Sequence, residues 1–581
     1  MKETNRSSGR EHPFYWVGLW IVSGAILGAG CSASSYRQSA DKTAYRIVQQ
    51  TERKVLGETN AFTIDTAYSS RKPEDILPAE LIEDRMRTNQ RVLTIEDAIN
   101  LAMTNSREYQ AAKETLFTAA LNLSTARYNI RGHVEPFSTT TAEWIRSSNG
   151  DITKDVTTDN GLEITRLFRS GGRLTVDLLN SVMLYYSGKP ELSFSRISAR
   201  LTQPLWQGFG RNNPQIEELI QQERNMVYAV RDFSFFQDGF VLDVASDYFQ
   251  LLQVKDNIRN RYTNYLSRVD ATKRLEARAV DREPLSGVDQ ARQAELSARI
   301  SYVDVVSSYQ ALLDAFKISL GLPLSEKLYL DDNALDEVVA NGLVPVSVEP
   351  TEAYQLALQR QLRTLNFIDQ FDDSKRKVRL AADKLKPGLN LVGSARLDSE
   401  PPDDFLNFDA DKVTANVALQ LDLPLDRVPR ANEYRLALIR FELALRTFTR
   451  RLDDLRNDIE TGLRRLENRR LNYENQKNAL ELANRRVEST TLLLEAGRAE
   501  PRDLIEAQDS QIVAQNAVTA AMVEHQQARL QLMLNIGALR TELPKFWLKD
   551  HVANVLPGRT PTSATPATEQ VLIPPDQLFS N

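Results

Sequence analysis

Side chains suited to metal or nucleophilic chemistry are scarce here: the 581-residue chain has four histidines and one cysteine. His12, His133, His525 and His551 lie far apart, and no two have the spacing of metal ligands. His525 falls in a helical stretch and reads as a packing or surface residue. Gly208-Phe-Gly210 puts two glycines in one turn, as a phosphate loop would, but no third glycine or lysine follows at the required spacing. With no nucleophile elbow or nucleotide motif either, no catalytic residue, metal or cofactor is expected. The 72 basic residues are interspersed with 78 acidic ones, net charge -6, so no basic stripe marks a nucleic-acid partner.

One position does carry a chemical expectation, and it is acylation. Lys2, Arg6 and Arg10 precede an apolar run from Phe14 to Gly30, short for a transmembrane helix but suited to a secretory signal. Cys31 follows directly after Gly28-Ala29-Gly30. This resembles a bacterial lipoprotein signal, whose cysteine becomes the lipidated first residue, although Gly28 stands where leucine is usual and Leu27 is one place early. A lone cysteine has no disulfide partner within the chain. An ordinary export signal cleaved nearby is the alternative. Ser32, in place of the aspartate that retains lipoproteins at the inner membrane, implies sorting to the outer one.

The rest of the chain is duplicated. Leu201-Thr-Gln-Pro-Leu205 and Leu421-Asp-Leu-Pro-Leu425 each close an extended segment and open a long charged helix. Asp97-Ala98 and Leu101-Ala102 recur as Glu352-Ala353 and Leu356-Ala357; Ala291, Ala298 and Gly321 recur as Ala507, Ala514 and Gly537. Each half reads as helix, β region, long helix, turn and return helix. The expected boundaries are a signal over 1–30, a polar lead-in over 31–90, and a first repeat over 91–323 with its β region at 134–205 and helical hairpin at 214–320. A linker over 324–345 leads to the second repeat, 346–540, with β region 388–425 and hairpin 430–540. The tail, 541–581, holds Pro557, Pro561, Pro566, Pro574 and Pro575 among Thr and Ser and is expected to be disordered. Hydrophobic residues make up 42% and the mean hydropathy is -0.39, which excludes a bundle of membrane helices.

Periodicity sets the fold class. Leu445, Leu452, Ile459, Leu466, Tyr473, Leu480, Val487 and Leu494 repeat every seven residues, the coiled-coil period. At 1.5 Å per residue that helix runs roughly 100 Å. A dimeric coiled-coil rod has the same period. The β regions favour another architecture: Leu192-Ser-Phe194-Ser-Arg-Ile197 and Val413-Thr-Ala-Asn-Val417-Ala-Leu419 alternate apolar with small polar residues, as a wall between lipid and water does. Turn signals at Asn149-Gly150, Gly171-Gly172, Gly188-Lys-Pro190 and Pro401-Pro402 divide them into about four crossing strands. Four cannot close a barrel, since the smallest membrane barrels need about eight, so copies must share one; three chains give about twelve strands. Pro204 and Pro424 can end a strand and turn the chain into a helix, with Gly208 and Gly210 permitting the tight backbone beyond.

Over roughly residues 90–545 the chain resembles the TolC-like outer-membrane efflux protein family. The residues that carry the resemblance are Leu93-Thr-Ile-Glu-Asp-Ala-Ile-Asn-Leu-Ala102, Leu201-Thr-Gln-Pro-Leu-Trp-Gln-Gly-Phe-Gly-Arg211, Asp243-Val-Ala-Ser-Asp-Tyr-Phe-Gln-Leu-Leu252 and Glu495-Ala-Gly-Arg-Ala-Glu-Pro-Arg-Asp-Leu-Ile-Glu-Ala-Gln508. The resemblance implies a mainly α protein with a membrane β-barrel portion: a homotrimer whose 12-stranded barrel in the outer membrane continues into a periplasmic α-helical barrel. It also implies a passive exit duct of a tripartite efflux or secretion system, docked to a periplasmic adaptor and an inner-membrane pump. Asp503 and Glu506 fall at family positions whose acids ring the closed tunnel entrance; acids in a first helical turn are also favoured by the helix dipole alone. The first-repeat tip, Arg278-Ala-Val-Asp-Arg-Glu-Pro-Leu-Ser-Gly287, is longer than the family turn. The rival class is a periplasm-spanning structural coiled-coil lipoprotein without a pore.

Overall fold

The computed structural model describes residues 33–59, 62–146, 152–185, 192–279, 285–344, 346, 348–400, 407–423, 425–549 and 551–552. Cys31 and Pro424 lie outside them, as do Asn149-Gly150, Gly188-Lys-Pro190 and Pro401-Pro402. In chain order the helices and strands are α1 (Ala33–Val55), α2 (Pro78–Met86), β1 (Gln90–Leu93), α3 (Ile95–Asn105), α4 (Arg107–Ile130), β2 (His133–Arg146), β3 (Ile152–Leu167), β4 (Arg173–Tyr185) and β5 (Leu192–Pro204). There follow α5 (Pro214–Ala279), α6 (Leu285–Ser319), β6 (Lys327–Leu330), α7 (Asn333–Asn341), α8 (Pro350–Arg360), α9 (Leu362–Asp383), β7 (Gly388–Asp398), β8 (Thr414–Asp422), α10 (Val428–Glu495) and α11 (Pro501–Ile536). None of the described helices is long and apolar enough to cross a membrane.

Contacts group the chain into two units. The first comprises the described residues up to Thr63 and those within Thr115–Val230 and Leu380–Ala431. It holds one antiparallel sheet in the order β2-β3-β4-β5-β7-β8. The described strands of this sheet number six where about four were expected: β2 to β5 lie in the first β region, β7 and β8 in the second. Within β3, Thr157-Thr-Asp-Asn-Gly161 is polar throughout, yet Gly161 pairs with Phe137 of β2. A Cβ on Gly161 would lie 2.5 Å from the Phe137 ring, so the missing side chain leaves room for an aromatic that covers the strand. The lead-in helix α1 belongs to this unit and buries Ala44, Ile47 and Val48, with the Tyr45 ring 5.2 Å from that of Phe117 in α4.

The second unit spans Ile64–Glu114, Arg231–Arg379 and the chain from Asn432 onward. Its helices run antiparallel in the order α6, α5, α11, α10. Arg261 of α5 donates to Ser301 of α6 at 2.9 Å; Asn260 and Asp256 of α5 meet Asn516 and Thr519 of α11, each at 2.9 Å; Gln511 of α11 donates to Asn484 of α10 at 2.9 Å. Of the heptad positions read from sequence, Ile459 and Leu466 are buried while Leu445 is exposed, so in one chain the long helix covers only part of its apolar face.

The duplication is visible in how each return helix ends. Gly321 after α6 and Gly537 after α11 both adopt left-handed backbone, φ 73° and 75°. Gly321 packs against the Asn105 carbonyl where α3 breaks into α4; Gly537 packs on Arg360 and Gln361 where α8 breaks into α9. Ala98 and Ala102 in one copy, Ala353 and Ala357 in the other, are fully buried beside these joints. Stretch 324–345, read as a linker, carries β6 and α7; β6 pairs in parallel with β1, and the Tyr248 hydroxyl lies 2.9 Å from the Leu93 carbonyl and 2.8 Å from that of Asp331, bracing both strands. The tail also departs from expectation at its start. Phe546 and Trp547 are 2% exposed, and Gln526 and Arg529 of α11 donate to the Trp547 carbonyl, because this aromatic pair completes the core over α11. Residues 553–581 lie outside the described chain.

Candidate channel wall, junction and tip

The strand registers fix which residues share a face of the large sheet. Pro136, Leu162, Leu178, Ile197 and Leu397 stand side by side across five strands, and Leu174, Leu201, Gly393 and Val417 carry the same face to β8. The adjacent row on the opposite face reads Glu135, Glu163, Asp177, Ser198, Arg396 and Thr414. In these rows one face is apolar from β2 to β8 and the other polar and charged; a further row on the apolar side, Ser138, Asn160, Asn180 and Ser195, is polar. Val134, Trp144, Leu162, Ile164, Leu178, Ile197, Leu201, Val417, Leu419 and Leu421, all on the apolar face, are exposed, Val417 by 78%. Apolar area of this extent has no reason to face water, whereas it suits lipid. The polar face is uneven in charge: β2 to β4 carry Glu135, Glu143, Asp155, Asp159, Glu163 and Asp177 against Arg173, whereas β5 and β7 carry Arg196, Arg200 and Arg396 with Asp398 paired to two of them.

Below β5 the chain turns within ten residues into α5. Pro204 is the last residue of β5, and Gly208 and Gly210 adopt φ 76° and 62°. Two partners that the sequence did not single out hold this turn. Asp383, the last residue of α9 and 3% exposed, accepts from the Gly208 N–H at 2.7 Å, from Asn212 at 3.1 Å and from Lys386 at 2.6 Å. The β3–β4 turn supplies the other: the Ser170 carbonyl accepts from the Gly210 N–H at 2.8 Å, and a Cβ on Gly171 would sit 2.6 Å from the Gly208 carbonyl oxygen. Asn213 then caps α5, its side chain accepting from the Gln215 N–H at 2.9 Å. Trp206 and Phe209 are about half exposed and line an open cavity of about 430 Å³ with Leu205, Asn212, Lys386 and Pro387, an aromatic rim beside a cation of the sort found where lipid meets water.

At the far end of the helical hairpins, Asp503 and Glu506 are both engaged. Glu500 caps α11 and Asp503 answers it, accepting from the Glu500 N–H at 3.1 Å, a reciprocal capping box with Pro501 in the first turn. Glu506 pairs with Arg486 of α10 at 2.9 Å. A third residue organises this end. Arg268 of α5, 2% exposed, donates to the Ile505 carbonyl at 2.8 Å and to Asp509 at 2.7 Å, beside a cavity of about 240 Å³. Nothing in its spacing marks Arg268; one arginine among many on a charged helix carries no signal until its neighbour is known.

Two buried titratable groups lie elsewhere in the helical unit. Burial pushes the Asp238 carboxyl up to about 6, against a hydrogen bond from Thr541. Burial, then the Arg529 and Arg470 charges, push His525 down to about 4, against Glu467. A raised acid favours the proton in the folded state, so its contribution falls as pH rises from 3.8 to about 6. A depressed histidine resists the proton, so its contribution is lost as pH falls from 6.5 toward about 4. The two slopes oppose each other in wild type. Denaturation at stepped pH is expected to separate them: Asp238→Asn gains about 1 kcal/mol over wild type by pH 7 and His525→Gln gains a similar amount only below pH 5. A gain by His525→Gln that is the same at both ends would contradict the assignment. Among the described residues no group of three His, Cys, Asp or Glu is placed to hold a metal.

No family model matches the sequence, and no curated protein does so. Solved structures do. The chain is similar to CusC, studied for the conformational changes of its folding and transmembrane channel formation, with TM-score 0.58 at 12% identity over 76% of this chain and 92% of that one. It is similar to the Campylobacter jejuni CmeC outer membrane channel, TM-score 0.57 at 14% identity over 79% and 88%, and to the Vibrio cholerae outer membrane protein VceC, TM-score 0.56 at 14% over 76% and 96%. Mostly helical, with one sheet apolar on one face and polar on the other, the chain has the fold of the TolC-like outer-membrane efflux channels.

Proposed function

We propose that this protein is a passive exit channel of the bacterial outer membrane: a homotrimer whose large sheets close one barrel through the lipid and whose helical hairpins form a periplasmic conduit. The observation that carries the reading is the sheet itself, with an apolar band on one face from β2 to β8 and polar rows on the other, its edge strands β2 and β8 unpaired at their outer sides among the described residues. Open edges in lipid would strand their backbone groups, so such a sheet must close. Six strands are too few to close alone. The fold likeness supports the same reading; the family resemblance adds to the proposal a periplasmic adaptor and an inner-membrane pump that supplies the energy, and the signal before Cys31 adds a lipid anchor at that residue. Purified protein in planar bilayers should give discrete single-channel openings. A structural coiled-coil lipoprotein would give none, and that result would remove the channel reading.

The tip residues enter as part of this proposal. Around a threefold axis Asp503 and Glu506 would bring six carboxylates together, attracting cations and making opening sensitive to divalent ions. Arg486 partly neutralises Glu506, so the larger share of the field falls to Asp503. Asp503→Asn with Glu506→Gln preserves the hydrogen bonds while removing the charge. The expected outcome in bilayers is a weaker cation preference and weaker divalent block; unchanged selectivity and block would leave these acids with the capping role alone.

A further inference from the structure

We propose that all six strands are wall, so that three copies close a barrel of eighteen strands, wider than the twelve that four strands per chain would give. The proposal rests on the trimeric channel reading above. Length permits it: a tilted strand needs about 9–11 residues to cross the hydrocarbon. The strands have 14, 16, 13, 13, 11 and 9 residues, so none is a short accessory.

Register and surface chemistry agree with it. Val134 opposes Ile164 and Pro136 opposes Leu162 on the apolar side, in rows that continue through Val176 and Leu178 of β4 to Ala415 and Leu397, while Glu135 opposes Glu163 on the polar side. Further along the same side as Val134, Ser138 opposes Asn160 and Thr140 opposes Thr158, polar rows that mark where the apolar band ends on these two strands. Every neighbouring pair in the sheet is antiparallel, so the even number leaves β2 and β8 running in opposite directions. The free edge of β8 in one copy can therefore take the free edge of β2 in the next as one more antiparallel pair, and a ring of identical copies closes without a mismatch. The partner of this edge is a second copy of the chain. Diameter grows roughly linearly with strand number, so the lumen would be about one and a half times as wide as that of a twelve-stranded barrel.

The test places an environment-sensitive dye on the apolar face of the first strand and of the last, through Val134→Cys and Val417→Cys, both exposed positions in neighbouring rows of the sheet. Full-length labelled protein is reconstituted into phosphatidylcholine vesicles with and without brominated acyl chains, and its mass is measured intact in detergent. The expected result is quenching of both dyes to within about twofold of each other, from a particle with the mass of three chains. Quenching at Val417 alone would put β2 outside the wall and overturn the proposal while leaving the channel reading intact. A particle of two chains, closing twelve strands, would overturn it as well. Quenching at neither position would remove the membrane barrel altogether.

Discussion

Gly321→Ala and Gly537→Ala are expected to destabilise the helical unit more than a methyl added at its other glycines. Both glycines hold left-handed backbone, which costs an alanine about 1–2 kcal/mol. Contact adds to this: a Cβ on Gly537 would lie 2.8 Å from the Gln361 nitrogen and 2.9 Å from the Arg360 carbonyl carbon, and a Cβ on Gly321 would collide with the Asn105 carbonyl. Backbone cannot move aside as a flexible side chain can, so the total should reach about 3 kcal/mol or more. Gly497 supplies the control. Its φ is 71°, but nothing lies within 4 Å of the Cβ position, so Gly497→Ala should cost only about 1 kcal/mol. Denaturant midpoints for the three variants check this; equal losses would mean that close helix-joint packing plays no part.

The second large effect separates the faces of the sheet. Leu419 and Gln420 are neighbours on β8, both exposed in the single chain, one on the apolar face and one on the polar. Leu419→Arg sets a charge in hydrocarbon and should cost about 2–4 kcal/mol near the bilayer midplane. Gln420→Arg sets the same charge against water and should cost nearly nothing. Urea unfolding from lipid vesicles measures both. A water-soluble scaffold would show no such contrast, since an arginine at either position would be solvated.

Periodic signals in the sequence located the elements that depend on periodicity. The run of sevens through Ile459 and Leu466 corresponds to α10, and the paired Gly321 and Gly537 end two return helices in the same way. What escaped was contact between segments distant in sequence. Asp383 is one aspartate before a Lys-Pro turn until the Gly208 amide reaches it, and Arg268 is one arginine on a charged helix until α11 lies beside it. The strand count fell short although the four turn signals mark off six segments, since nothing in the sequence says which segments pair; Thr157-Thr-Asp-Asn-Gly161 is held as a strand by the Phe137 ring and the registers on either side. The stretch at 324–345 and the Phe546-Trp547 pair show the same limit. Four residues of β6 gain meaning from β1, more than two hundred positions away, and an aromatic pair ahead of a proline-rich tail closes a core built by α11.

If the polar face of this sheet lines a water-filled pore, a charged, membrane-impermeant thiol reagent should distinguish single channels of Asn416→Cys from those of Val417→Cys, adjacent residues on opposite faces of β8. The unsubstituted protein is the control for Cys31. Stepwise loss of current in Asn416→Cys, with none in Val417→Cys, is the predicted result. Equal block of both, or channels whose current neither substitution alters, would contradict it.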